Sequence, residues 1–242
     1  MFTHYRTQGF IVRKINLGET DQLLTIYTKD FGKLEVLGRA IRKTSSKLRS
    51  GAEIFYLSEI EFIQGKTHKT LTDAILIDKF KNLRKSLKRL ATAYKISEVL
   101  DAMLKGQESD EKIWGLLNEI FEKLNNPRMP NTEYPILYYY FLWNFISILG
   151  YQQEFYLCSL CRKKLTPENI FFSPGEGGLI CNICGTSIQQ VKEIGPNTVK
   201  ILRIILKKDW PTFKKLKIKP EDLKSLKIIS DYYFSEILEQ SK

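Results

Sequence analysis

Histidine and cysteine, the usual raw material of metal and nucleophile chemistry, are almost missing from this 242-residue chain. Only His4 and His68 occur, and all four cysteines fall between residues 158 and 184. No H-E-x-x-H or H-x-E motif is present, so neither a hydrolytic zinc nor a deaminase zinc has its ligands. There is also no G-x-G-x-x-G and no G-x-S-x-G. QGKTHKT (64–70) carries a Gly-Lys-Thr, but Ile60 stands where a phosphate-binding loop needs its first glycine, and the segment joins two expected strands rather than a strand and a helix. Acids are in deficit, 27 against 38 Lys and Arg, and are scattered without the tight clusters of a two-metal nuclease. These absences lead to the expectation that the chain is not an enzyme.

Long apolar runs are missing too. PILYYYFLWNFISILG (135–150) is interrupted by Asn144 and Ser147 and falls short of the roughly 20 residues a spanning helix needs. It is expected to be a buried helix, with no membrane contact. The N-terminal residues show neither an apolar core nor a small-residue cleavage site. A cytoplasmic location follows, where a structural disulfide would be unusual.

What the chain has in excess is positive charge, +11 formally. A basic surface attracts phosphates and gains by releasing their counterions, which points to nucleic acid. A merely solvated, lysine-rich surface is the plainer alternative.

The first 80 or so residues are expected to form strands. GFIVRKI (9–15), DQLLTIYT (21–28), KLEVLGR (33–39), EIFYLSEIEFIQ (53–64) and KTLTDAILI (69–77) are rich in β-branched and aromatic residues, with turn residues between them. Their number and length fit an OB-fold barrel over 1–80. Periodicity does not encode closure, so a plain antiparallel sheet or an SH3-like barrel fits as well. Near Ile77 the period changes to a helical one. Helices are expected over 79–104, 110–124 (with Ser109 as its cap), 134–149, 197–208 and 220–240. The fold class is thus α+β in two domains, an N-terminal barrel and a helical domain over 81–242 that contains a cysteine-bearing segment, 154–188.

Within that segment, Cys158-x2-Cys161 and Cys181-x2-Cys184 are separated by nineteen residues. This spacing belongs to four-cysteine zinc sites. A redox pair or a catalytic metal would be the other uses of such thiols. Four thiolates complete a tetrahedron and leave no open position, which makes one structural Zn2+ per chain the expected cofactor. Gly185 is expected to take a positive φ after the second knuckle, and Gly175, Gly177 and Gly178 to turn the chain back toward the ion. Arg162, Lys163 and Lys164 would offset part of the tetrathiolate's charge.

Two runs carry basic residues without a single acid. The first contains Arg39, Arg42, Lys43, Lys47 and Arg49, between the third and fourth strands. The second contains Lys79, Lys81, Arg84, Lys85, Lys88 and Arg89. Together they are the expected nucleic-acid-binding residues, tracking a phosphate backbone. Tyr27, Phe31 and Phe55 lie nearby, although strand aromatics are mostly core. KKLKIK (214–219), beside Trp210 and Phe213, is an ambiguous third basic group.

The opening residues GFIVRKINLGETDQLLTIYTKDFGKLEVLGRAIRKTSSKL, the Gly32-Lys33 before a strand, the Gly38-Arg39 before a basic stretch, and the CSLC and GGLICNIC pair together resemble the RecO family of bacterial DNA repair proteins, over essentially the whole chain. The resemblance implies an OB fold, a helical C-terminal domain and a four-cysteine zinc site. It further implies a recombination mediator in the RecFOR pathway that binds single- and double-stranded DNA and anneals complementary strands. Such a protein helps load RecA onto strands coated by single-strand-binding protein. The implied partners are RecR and the acidic, Phe-ended C-terminal tail of the coat protein, and the implied location is the nucleoid. The tail could enter a groove near Tyr138 to Phe145, a stretch that composition alone assigns to the core. Not every member of the family keeps the cysteines, so zinc is not expected to carry the defining activity. Arg162 follows Cys161 where the resemblance leads one to expect glycine. Two alternatives from other classes stand beside this one: a zinc-stapled nucleic-acid-processing enzyme and an RNA-binding module.

Overall fold

The computed structural model describes residues 3–130, 133–167 and 169–240. Five strands come first: β1 (His4–Leu17), β2 (Asp21–Thr28), β3 (Gly32–Gly38), β4 (Leu57–Gln64) and β5 (Lys69–Asp78). They form a closed barrel in the order β1-β2-β3-β5-β4, the order of an OB fold. Closure depends on the length of β1. Its first half pairs with β4 and its second half with β2, with a bulge between Ile11 and Arg13 that lets the strand bend from one partner to the other. The β3–β5 seam is short and parallel, Val36 with Lys69 and Leu37 with Thr70. Alternation sends Ile11, Leu24, Ile26, Leu34, Val36, Ile60, Phe62 and Leu71 into the barrel core.

A second core lies on the outside of β1. Phe10, on the opposite face from Ile11, stacks against Phe80 and Phe121 and leans on Trp114. The partners come from the chain after β5 and from α2 (Glu111–Asn125), while α1 (Leu87–Met103) adds Tyr94 against Phe55. The expected helix from residue 79 is corrected here: Phe80 takes a φ of 45°, Leu83–Lys85 makes a short 3-10 turn, and α1 begins only at Leu87. Likewise the cap of α2 is Asp110 rather than Ser109. Its carboxylate accepts from the N–H groups of Lys112 (2.7 Å) and Ile113 (3.1 Å). With α1 and α2 packed on the barrel, the first compact unit ends at Tyr134 and the second begins at Pro135.

The second unit is built on α3 (Tyr134–Ile148), buried from Tyr139 to Ile146. Asn144, which interrupts its apolar run, donates to the carbonyls of Tyr140 and Ile205. The stretch from Tyr139 to Phe145 is core, as composition suggests. Then come β6 (Phe171–Ser173), β7 (Gly178–Ile180), the one-turn α4 (Asn182–Gly185), β8 (Lys192–Glu193), α5 (Pro196–Leu206), α6 (Trp210–Lys215) and α7 (Pro220–Gln240). The sheet β7-β6-β8 and the short α6 have no counterpart among the expected elements, being too short to show periodicity. Trp143 of α3, Phe155, Phe172 of β6 and Tyr233 of α7 form one aromatic cluster. Among the described residues no helix is long and apolar enough to cross a membrane.

Asp101 ties α1 to the barrel. It pairs with Arg13 of β1 (2.6 Å) and Lys33 of β3 (2.7 Å), while Lys33 also donates to the Asp101 and Leu104 carbonyls at the end of α1, 2.8 Å each. Burial alone would raise the Asp101 pKa. The hydrogen bond and charge of Lys33 and the charge of Arg13 outweigh it and hold the carboxyl below its ordinary value of 3.8. The pair therefore stabilises fully above that ordinary value, and the contribution is lost as pH falls through the lowered folded-state value. Asp101→Asn should cost about 1 kcal/mol in urea unfolding at pH 7. The deficit should shrink in the same measurement at pH 3 and below.

Candidate metal centre and nucleic-acid surface

The hairpin Tyr156 to Lys164 and the turn after β7 bring the four thiols together. Cys158 N–H donates to the Lys163 carbonyl (2.9 Å), Leu157 bridges to Lys164, and Glu154 bridges to Gly178. The Sγ atoms of Cys158, Cys161, Cys181 and Cys184 lie within 4.8 Å of one another. Cys161 and Cys181 are 3.8 Å apart. A tetrahedron of thiolates about 2.3 Å from zinc has edges of about 3.8 Å, whereas a disulfide would need about 2.05 Å. The donor set therefore fits a tetrahedral ion and not a disulfide. Four thiols would fill a tetrahedral ion's positions and leave none for a substrate, the donor set of a structural centre.

Each knuckle closes on itself in the same way: Arg162 N–H donates to the Cys158 carbonyl and Gly185 N–H to that of Cys181, both at 2.9 Å. Burial tends to raise the Cys158 pKa, but the N–H groups of Cys161, Cys181 and Leu160 are directed at its sulfur and bring it down to about 6. Cys181 N–H approaches that sulfur at 3.4 Å. Cys184 moves the other way, up to about 12, chiefly through its hydrogen bond with Cys181. The thiols thus compete for protons that a cation would displace.

The residues after the knuckles differ. Arg162 takes a φ of 58°, the left-handed conformation that glycine would adopt without strain, and its side chain reaches Glu154 at 3.8 Å. Gly185 has no positive φ, which corrects the expectation for it. A Cβ there would stand 2.4 Å from the Phe171 ring, so the glycine serves close packing. Gly177 and Gly178 do take positive φ, at 80° and 140°, where the chain turns back. The folded segment runs past residue 188 to Glu193, because β8 completes the small sheet.

The first basic run is a two-faced loop. Ile41 and Ala52 are buried in the barrel core and Leu48 packs against it, while Arg39, Arg42, Lys43, Lys47 and Arg49 are exposed. Asp21, at the start of β2, accepts from Ala40 N–H (2.7 Å) and Thr20 Oγ1 (2.9 Å). Arg42 donates its main-chain N–H to Thr20 (3.0 Å) and its guanidinium to the Gly18 carbonyl (3.0 Å). The far end is held by Ser58 Oγ on the Gly51 carbonyl (2.6 Å). A Cβ on Gly51 would stand 1.9 Å from the Ala74 carbonyl oxygen, so only glycine permits that approach. Phe55, with a φ of 59°, gives its N–H to Ile11 (2.7 Å) and ends the loop. That turn is why β4 starts at Leu57 and not at Glu53.

The second run divides. Lys79, Lys81, Lys85 and Lys88 are exposed. Arg89 is 8% exposed, donates to Tyr134 Oη at 2.6 Å and lies over that ring. Arg84 is half-buried; it donates to the Ile54 carbonyl and lies 4.6 Å over the Tyr56 ring. The expectation that both arginines face phosphate is corrected: they are internal ties. Arg84 nonetheless joins the two runs in space, since Ile54 and Tyr56 belong to the end of the first loop. Of the nearby aromatics, Tyr27 and Phe55 are buried and Phe31 packs on Tyr5 and Phe62. In the group at 214–219, the lysines are exposed on and after α6, while Trp210 and Phe213 pack on Tyr140.

A cleft of about 830 Å³, which the charge runs do not reveal, opens beside the β3–β5 seam. Leu17, Leu23, Leu37 and Leu104 line it together with Lys33 and Lys69. Glu35 and Asp101 line it as well, and its residues come from all five strands, the β4–β5 turn and the end of α1, too far apart in sequence to form a motif.

The two knuckles should respond oppositely to substitution at equivalent places. Arg162→Gly should raise stability by about 0.5–1 kcal/mol, the relief of left-handed strain less glycine's entropy, whereas Gly185→Ala should lower it. Thermal unfolding of the metal-loaded protein reads both. Cys161→Ser should remove the bound ion, measured by metal analysis, and selectively raise amide exchange over residues 154–193.

With fold and site described, the comparisons with known proteins agree on one family. The family model described as Recombination protein O N terminal matches residues 1–80, and that described as Recombination protein O C terminal matches residues 84–242. A protein named DNA repair protein RecO from Dehalococcoides mccartyi strain 195 is 34% identical over 224 residues, covering 93% of this chain and 87% of the relative. Relatives of the same name from Alkaliphilus metalliredigens and Caldanaerobacter subterraneus are 29% and 25% identical, each over 230 residues and 94% of this chain, and over 91% and 90% of their own lengths. The chain belongs to the RecO family.

Proposed function

We propose that this chain is a DNA-binding recombination mediator acting in DNA repair, which anneals complementary strands without ATP and helps load RecA onto coated single strands. The observation that carries this proposal is the loop from Arg39 to Arg49. Its five basic side chains are exposed while Ile41, Leu48, Gly51 and Ala52 fix its backbone to the barrel. Charges on such a loop can hold a phosphate backbone with little ordering cost at the moment of binding. Lys79, Lys81, Lys85 and Lys88 extend the same surface, and the cleft beside β3 offers leucine walls to bases. Neutralising both strands' phosphates removes the repulsion that slows pairing.

No catalytic role is proposed. Zn2+ is proposed for the four thiols because a soft S4 tetrahedron suits it. Its role would be structural, since the phosphate-facing residues lie in the other unit. RecR and the acidic tail of single-strand-binding protein are proposed as partners on the strength of family membership. The cytoplasm, at the nucleoid, is the proposed location. DNA is preferred over RNA on the same ground.

Lys43→Glu with Lys47→Glu tests the assignment. The slope of log affinity against log salt for single strands should flatten by about 1.4, at about 0.7 per lost phosphate contact. Annealing of complementary oligonucleotides should slow at least about tenfold. Unchanged binding and annealing would remove the loop from the DNA surface, and absence of annealing by the unaltered protein would remove the function.

A further inference from the structure

The outer face of α1 has a character that charge alone does not explain. From Lys79 to Ser97 there is no acid, yet the centre of this basic stretch is apolar. Leu87 is 85% exposed and Tyr94 45%, and Ala91 between them is also exposed. At spacings of four and three residues these side chains fall on one stripe of the helix, with Lys88 and Lys95 along its flank. The opposite stripe, Arg89, Ala93, Ile96 and Leu100, is buried. The stripe ends at Glu98, the first acid after Asp78. Tyr94 also packs edge-on against Phe55, 4.8 Å between centroids, so it stands beside the end of the Arg39–Arg49 loop.

An 85%-exposed leucine contributes nothing to the unit's own core. Surrounded by lysines, it suits a polyanion that has apolar faces of its own. Single-stranded nucleic acid is such a ligand, since its unstacked bases present flat apolar surfaces between phosphates. Duplex DNA keeps its bases stacked and offers only the phosphates. Among the described residues Tyr94 provides a large exposed ring beside the basic runs, where Tyr27 and Phe55 are buried.

We propose that Leu87 and Tyr94 on the outer face of α1 contact unpaired bases and confer a preference for single strands over duplex. This rests on the DNA-binding reading above and adds to it a second place, outside the cleft beside β3, where bases rather than phosphates are met. The lysines bind either form of DNA; the apolar stripe rewards only bases that are out of the stack. Released from the stripe as they pair, the bases would leave the product duplex held by charge alone.

The test uses full-length, metal-loaded protein carrying Leu87→Gln or Tyr94→Leu, with a labelled oligothymidine and a labelled duplex of equal length. Each substitution should weaken single-strand binding about five- to tenfold and leave duplex binding within about twofold. The salt slope should be unchanged for both ligands, because no charge is altered. Leu87 is too exposed for its loss to threaten folding, and the Tyr94→Leu melting temperature controls for the Phe55 contact. Equal losses on single strand and duplex would overturn the proposal, as would unchanged single-strand affinity. Loss of self-association with unaltered DNA binding would assign the stripe to a second copy of the chain and also overturn it. The unaltered protein's own DNA binding is the separate control: failure there refutes the DNA-binding reading itself.

Discussion

The attachment of the chain after β3 to the open end of the barrel governs most of what the first unit can do. Eighteen residues, Arg39 to Tyr56, lie between strands. Such a connection would ordinarily be mobile. Here Ile41 and Ala52 are buried, Asp21 holds its beginning, the Gly51–Ala74 approach holds its far end, and Phe55 closes it against Ile11. Burying the apolar alternates forces the basic ones outward. The same attachment organises the second run, because Arg84 is anchored on Ile54 and Tyr56 and Tyr94 rests on Phe55. Remove the anchor and the charges persist but no longer share a surface.

The four-thiol centre follows a similar logic at smaller scale. Residues 154–193 contain three very short strands and one helical turn, too little to bury a core alone. Phe155 and Phe172 do join the aromatic cluster around Trp143, so the segment is held at its base by packing and at its tip by sulfur. A metal at the tip would spare the chain a larger apolar core there.

Much of the fold was legible in the residues because local patterns are enough for strands and long helices. The five strand runs and the helices at 111–125 and 220–240 sit close to their expected places. Closure was not legible, since it depends on how a single long β1 shares itself between two partners. The start of α1 was missed because Phe80 and Leu83 continue a helical spacing while Phe80 adopts a left-handed backbone. Among site residues, the cysteines were legible from spacing. Arg84 and Arg89 were misplaced because charge suggests a surface. The signal was present for Arg89, which falls in line with Ala93, Ile96 and Leu100 on the buried side of α1. The same helical projection puts Leu87 and Tyr94 outward, which hydropathy alone would have hidden in the core.

On the proposed reading, phosphates are met by the first unit's exposed lysines rather than by the unit that holds the four thiols. Lysine acetylation footprinting by mass spectrometry, with and without a saturating single strand, addresses it residue by residue. Lys43, Lys47, Lys79, Lys81, Lys85 and Lys88 should lose reactivity when DNA is bound, while Lys163, Lys164 and the lysines at 214–219 should not. Protection concentrated on Lys163, Lys164 and 214–219, with the first set still reactive, would contradict the account.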